Sequence, residues 1–101
     1  MEAGDFVTIH LQDPKEQYWG RLLKLFDSGV VLRGIGVKQI EAFKFQFNKE
    51  EKRVYPQTAF FPMRRVEHIA LDEPVGTVPA VIEDILQYTG LGEAEILSMR
   101  P

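Results

Sequence analysis

No cysteine occurs in the 101 residues of this chain, which excludes disulfides, thiol nucleophiles and thiolate metal sites together. Only two histidines are present, His10 and His68; no metal-ligand spacing is evident for them, and a structural or surface role is expected. No apolar run approaches the roughly 20 residues that span a membrane. The first residues, MEAGDFV, carry Glu2 and Asp5 where an export signal would carry Lys or Arg. A cytoplasmic protein with no membrane partner is therefore the expectation. No catalytic Ser, His and Asp set stands out, and the glycines of RGIGVK lack both the third glycine and the strand-to-helix context of a dinucleotide fingerprint. These absences point to a non-enzymatic protein without metal or cofactor.

What is present suits one small domain. At 45% hydrophobic content the chain can close a single core, and at this length association with copies or partners would help to cover its surface. Charge is divided unevenly: residues 1–65 hold 11 Lys and Arg against 8 Asp and Glu, whereas residues 66–101 hold Arg100 against seven acidic residues. The front part attracts polyanions weakly, and the acidic tail opposes them.

Val7, Ile9 and Leu11 alternate with polar residues and predict a strand with one buried face, ended by Asp13 and Pro14. Tyr18 to Phe26 and Val30 to Val37 predict two more strands, joined by Asp27, Ser28 and Gly29 in a hairpin whose Gly supplies a positive φ. Gly20, Gly34 and Gly36 predict sharp bending. The β pattern continues through Ile40 to Phe47, with Phe43, Phe45 and Phe47 on one face and Asn48 to Arg53 as a charged hairpin tip. Thr58 to Phe61 and Val66 to Leu71 predict short strands on either side of Pro62, which belongs at an edge or a bulge. From Val78 to Thr89 the period changes to i, i+3, i+4, i+7, predicting an amphipathic helix with Thr77 as N-cap and Gly90 at its C-terminal end. Ile96 and Leu97 suit a further helical turn. The helix covers either its own barrel, the simpler arrangement, or a neighbour.

Five strands in a bent meander bring a family into view. The chain resembles the Sm and Sm-like (LSm) proteins: Val7, Ile9, Leu11, Gly20, Leu22, Phe26, Asp27 and Leu32 match the first Sm motif in order and at similar spacing. Phe60 and Phe61, leading into Val66 and Ile69, match the second motif more loosely. The resemblance covers Phe6 to Asp72. It implies a mainly β fold, a small, strongly bent five-stranded antiparallel Sm-like (SH3-like) barrel over residues 1–72, followed here by a C-terminal amphipathic α-helix within residues 73–101. It also implies self-association into a homo-oligomeric ring, with the fourth strand of one copy pairing with the fifth of the next. Phe60, Phe61, Val66 and Ile69 then lie at the subunit interface. An unpaired apolar edge needs such cover, although Pro62 could instead protect the edge of a monomer.

Single-stranded RNA is the ligand the resemblance implies, with Asp27, Ser28, Arg64 and Arg65 as the candidate contacts. Base recognition is altered or weak, because Gly29, Val30 and Val31 stand where the family places a stacking side chain and a base-reading Asn, and Pro62-Met63 replaces its Arg-Gly. The alternative is a protein-interaction or structural barrel that has lost RNA binding, contacting partners through its acidic helix or aromatic edge. In that case Arg64 and Arg65 pair with the acidic helix, and the Phe residues serve as core or contact surface rather than as a stacking platform. A small-ligand pocket in the barrel mouth is a third arrangement open to this sequence.

Overall fold

The computed structural model describes residues 1–100. Five strands form one antiparallel sheet: β1 (Phe6–Leu11), β2 (Glu16–Leu25), β3 (Gly29–Gly36), β4 (Gln57–Pro62) and β5 (Val66–Leu71), in the spatial order β4-β3-β2-β1-β5. Alternation divides β1, β2 and β3 between two apolar clusters, whereas β4 and β5 contribute only to the inner one. Val7, Ile9, Leu11, Leu22, Val30, Leu32 and Phe61 fill the inner face, where Ala59 of β4 and Val66 and Ile69 of β5 also pack. Residues of both edge strands meet in this one cluster, so the sheet is strongly curled. The hydrogen-bonded ladder nevertheless ends at β4 on one side and at β5 on the other.

The outer face carries Phe6, Trp19 and Ile35, and helices cover it. These are α1 (Ile40–Phe45), α2 (Val81–Thr89) and α3 (Glu93–Leu97), which contribute Phe43, Ile82, Ile85, Ile96 and Leu97 to the second cluster. Trp19 is completely buried there and stacks on Phe6 with ring centroids 5.4 Å apart. The helical tail thus lies on its own sheet. Arg33 of β3 ties down its end, donating from Nε to the Leu97 carbonyl at 2.7 Å.

Residues 40–47 depart from the expected strand. Gly36 ends β3, a 3-10 turn follows at Val37–Gln39, and α1 takes over. The aromatic spacing fits two periods at once: Phe43, Phe45 and Phe47 alternate, but Ile40, Phe43 and Phe47 also lie on one helical face. Packing decides for the helix, because Phe43 is fully buried and meets Phe47 edge-on at 5.0 Å, while Phe45 stays exposed beside Tyr88. The expected hairpin tip at 48–53 is a loop anchored by Gln46, the one buried polar side chain described. Its Oε1 accepts the Arg53 and Val54 N–H groups, both at 3.0 Å.

Three further positions differ from expectation in ways that have a cause. Gly29 has no positive φ; its missing Cβ makes room for Phe60, whose Cε1 would otherwise lie 2.6 Å away. Helix α2 starts at Val81 rather than Val78, and Val75 and Val78 instead pair across a short turn with both side chains exposed. Thr77 caps nothing, because Asp72 caps the helix from nine residues upstream, accepting the Val81 and Ile82 N–H groups at 2.8 and 2.9 Å. Gly90 is as expected, ending α2 in the left-handed region at φ 72°.

Candidate nucleic-acid interface and assembly edges

The turn between β2 and β3 and the 3-10 turn Met63–Arg65 are far apart in sequence but adjacent in space. Gly29 pairs with Pro62, and the Met63 N–H donates to the Ser28 carbonyl at 2.9 Å. Asp27, Ser28 and Arg64 are therefore exposed near one another on one rim of the sheet. The Arg64 guanidinium has no ion-pair partner among the described residues, since only its carbonyl is engaged, by Gln12 Nε2 at 3.3 Å.

Arg65 is turned the other way. Its guanidinium donates to the carbonyls of Gln12 at 3.3 Å and Pro14 at 3.1 Å, and to Glu16 Oε1 at 3.0 Å, so it clamps the connection between β1 and β2. Bonds from Arg65 and then from the Tyr18 hydroxyl hold the Glu16 carboxyl below its ordinary range. The acidic tail, which the sequence offered as partner to these arginines, instead meets Arg21 through Glu93 at 3.1 Å and Lys44 through Asp84 at 2.8 Å.

The apolar edge residues also divide between the two faces of the sheet. Phe61 pairs with Val30 and is buried in the inner cluster, beside half-buried Val66 and Ile69. Phe60 pairs with Val31, points outward and remains 52% exposed. Leu71, at the end of the other edge strand, is 41% exposed. Both edges thus end in a large apolar side chain open to solvent.

No family model, curated protein or solved structure matches this chain.

Sequence reasoning missed the relation between the two histidines. His10 on β1 and His68 on β5 are direct cross-strand partners, with ring centroids 4.0 Å apart and planes within 16° of parallel. The only available signal was the β1 to β5 register, which no local window contains. Parallel rings direct their lone pairs along parallel planes rather than at a shared ion, and among the described residues no group of three His, Asp or Glu side chains is placed to hold a metal. Nor is any helix long and apolar enough to cross a membrane.

Burial and then the charge of His68 lower the His10 pKa below its ordinary 6.5, against a smaller opposing effect of Glu67. The folded chain therefore binds this proton less readily than the unfolded chain does. The stability linked to His10 is complete above pH 6.5 and is lost as pH falls through the folded-state value. Urea melts from pH 7.5 down to about 5.5, above most carboxylate titration, should show declining stability that His10→Gln flattens. A wild-type profile with no slope in that window would contradict this coupling.

Proposed function

We propose that the chain is a non-enzymatic, Sm-like module that self-associates edge to edge into a ring and offers its Asp27, Ser28 and Arg64 rim to single-stranded RNA. The observation that carries the reading is the pair of open edges. β4 and β5 terminate one curled sheet, are joined by a single 3-10 turn and each present unpaired backbone groups beside an exposed apolar side chain, Phe60 or Leu71. Pairing β4 of one copy with β5 of the next satisfies both edges by one repeated, head-to-tail contact, and such a contact closes into a ring when its rotation allows. Every copy then adds one Asp27, Ser28 and Arg64 rim to the assembly.

A second reading, a protein-interaction barrel without RNA binding, is favoured by two observations, one at this rim and one beside it. The Phe60 ring occupies the space above Gly29, and Arg65 is engaged by Glu16. Titration of labelled oligo-U and oligo-A at several salt concentrations separates the two. RNA binding should weaken with salt by about 0.7 log units per log unit for each phosphate contacted, and Arg64→Glu should reduce that slope. No binding at low salt leaves the second reading.

Self-association is tested by light scattering. The wild type should give a mass several times that of the chain at micromolar concentration, and Phe60→Glu, which places a charge at the edge contact, should weaken association by roughly tenfold or more. A wild-type monomer would overturn the ring.

A further inference from the structure

A groove lies at the other end of the inner face, where two cavities of about 360 and 530 Å³ share Tyr18, Gly36 and Gln39. Together they have the size of a small-molecule site. Gly36 lines both. Its backbone, at φ −63° and ψ 142°, is one that any residue adopts, and an added Cβ would meet only Gln39 Oε1 at 3.6 Å and Tyr18 Cε1 at 4.0 Å, both ordinary contacts. Gly20, Gly29 and Gly34 are different, each pressed against backbone or an aromatic ring. At Gly36 neither conformation nor packing requires glycine, and the flexibility of glycine costs unfolded-state entropy. The missing side chain keeps space open.

The two compartments differ in chemistry. The smaller has aromatic walls from Tyr18, Tyr55 and Phe61, with Arg53 as its only charged lining residue. Gln39 and Gln57 also line it, and neither side-chain amide is hydrogen-bonded among the described residues. Aromatic faces stack on any planar ring, and free amides can pair with the edge of a heterocycle. The larger compartment is lined by Lys15 and Lys38, which have no ion-pair partners among the described residues. Of its two carboxylates, Glu16 is occupied by Arg65 and the Tyr18 hydroxyl, and Glu67 lies 3.8 Å from His68 Nδ1. Two unpaired ammonium groups against the one remaining carboxylate, Glu67, leave the lining net positive, and they call for an anion.

We infer that this groove binds a single nucleotide, with the base in the aromatic compartment beside Gly36 and the phosphate toward Lys15 and Lys38. The site is separate from the Asp27, Ser28 and Arg64 rim and does not depend on ring assembly.

The test is calorimetric titration of the full chain with AMP, GMP, CMP and UMP, and with adenosine and inorganic phosphate as separate ligands. At least one nucleotide should bind saturably, with the unphosphorylated nucleoside roughly tenfold or more weaker and inorganic phosphate alone not saturating. Gly36→Leu should abolish nucleotide binding while leaving the melting temperature near that of wild type. The double variant Lys15→Glu, Lys38→Glu, which touches only exposed side chains, should weaken binding by roughly tenfold or more. Arg64→Glu should leave this titration unchanged, so that failure at the rim and failure here are read separately. The inference is overturned if no nucleotide binds at millimolar concentration, if Gly36→Leu binds as wild type does, or if adenosine binds as tightly as AMP.

Discussion

Asp72→Ala is expected to cost about 2–4 kcal/mol of stability, because this one carboxylate serves three donors from two layers of the fold. Oδ1 accepts the Val81 N–H at 2.8 Å, and Oδ2 accepts the Ile82 N–H at 2.9 Å and the Trp19 indole N–H at 3.0 Å. Ala80, which occupies the N-cap position of α2, provides no side-chain acceptor. Losing a side-chain cap costs about 0.5–2 kcal/mol, and orphaning the donor of a fully buried indole adds about 1–3. For a domain of this size that corresponds to a melting temperature lower by roughly 10–20 °C.

Asp72→Asn should recover part of the loss. It retains one acceptor oxygen but removes the charge that favours the N-terminus of α2. Trp19→Phe keeps most of the buried ring and deletes only the indole donor, so a double-mutant cycle with Asp72→Ala isolates that bond. Urea melts at pH 7 provide the measurement. A loss below about 0.5 kcal/mol, the range of an ordinary surface substitution, would show that Asp72 does not link the helix to the sheet.

Asp72 also shows which parts of this structure were legible beforehand. Alternation at Val7, Ile9 and Leu11, and the turn residues between Phe26 and Val30, marked strands that exist, and the edge position of Pro62 followed from its missing N–H. Each of those signals lies within a few residues of its effect. The cap of α2 does not, since Asp72 acts across a nine-residue gap while Thr77 offered a suitable side chain at the position a local rule inspects. Residues 40–47 satisfied two periodicities, and only the burial of Phe43 beneath the helical layer separates them.

The candidate sites follow the same division. The family resemblance pointed to Asp27, Ser28, Arg64 and Arg65, and the pairing of Gly29 with Pro62 and the bond from Met63 to Ser28 bring the first three to one rim. Arg64 and Arg65 are adjacent and equivalent in sequence, yet Arg64 has no ion-pair partner among the described residues and Arg65 is held by Glu16. The loop geometry around Pro14 makes that choice. The histidine stack and the groove at Gly36 both arise where strands distant in sequence meet, so neither had a local signature.

The largest effect is expected at the crossing of β2 and β3, where Gly34→Ala should remove more than about 3 kcal/mol, at or beyond the upper range for overpacked cores. Gly20 and Gly34 are paired directly opposite each other. A Cβ on Gly34 would lie 2.7 Å from the Gly20 Cα and closer still to the Trp19 carbonyl oxygen; one on Gly20 would lie 2.6 Å from the Gly34 Cα. These obstacles are backbone atoms and cannot rotate aside. Gly20 also pairs with Val7 on β1, so separating β2 from β3 would disturb three strands of the sheet. The flanking residues carry the strain to both clusters: Trp19 belongs to the outer one and Leu32 to the inner. With total stability of about 5–15 kcal/mol for such a domain, Gly34→Ala should melt far below wild type or fail to accumulate as folded protein. Gly36→Ala is the matched control in the same strand. Its extended backbone and open surroundings predict a change of at most about 1 kcal/mol, toward greater stability because the unfolded chain loses freedom. Melting both variants beside wild type decides the matter. If Gly34→Ala and Gly36→Ala proved equally stable, the fold would not depend on the close approach of β2 and β3 at Gly20 and Gly34.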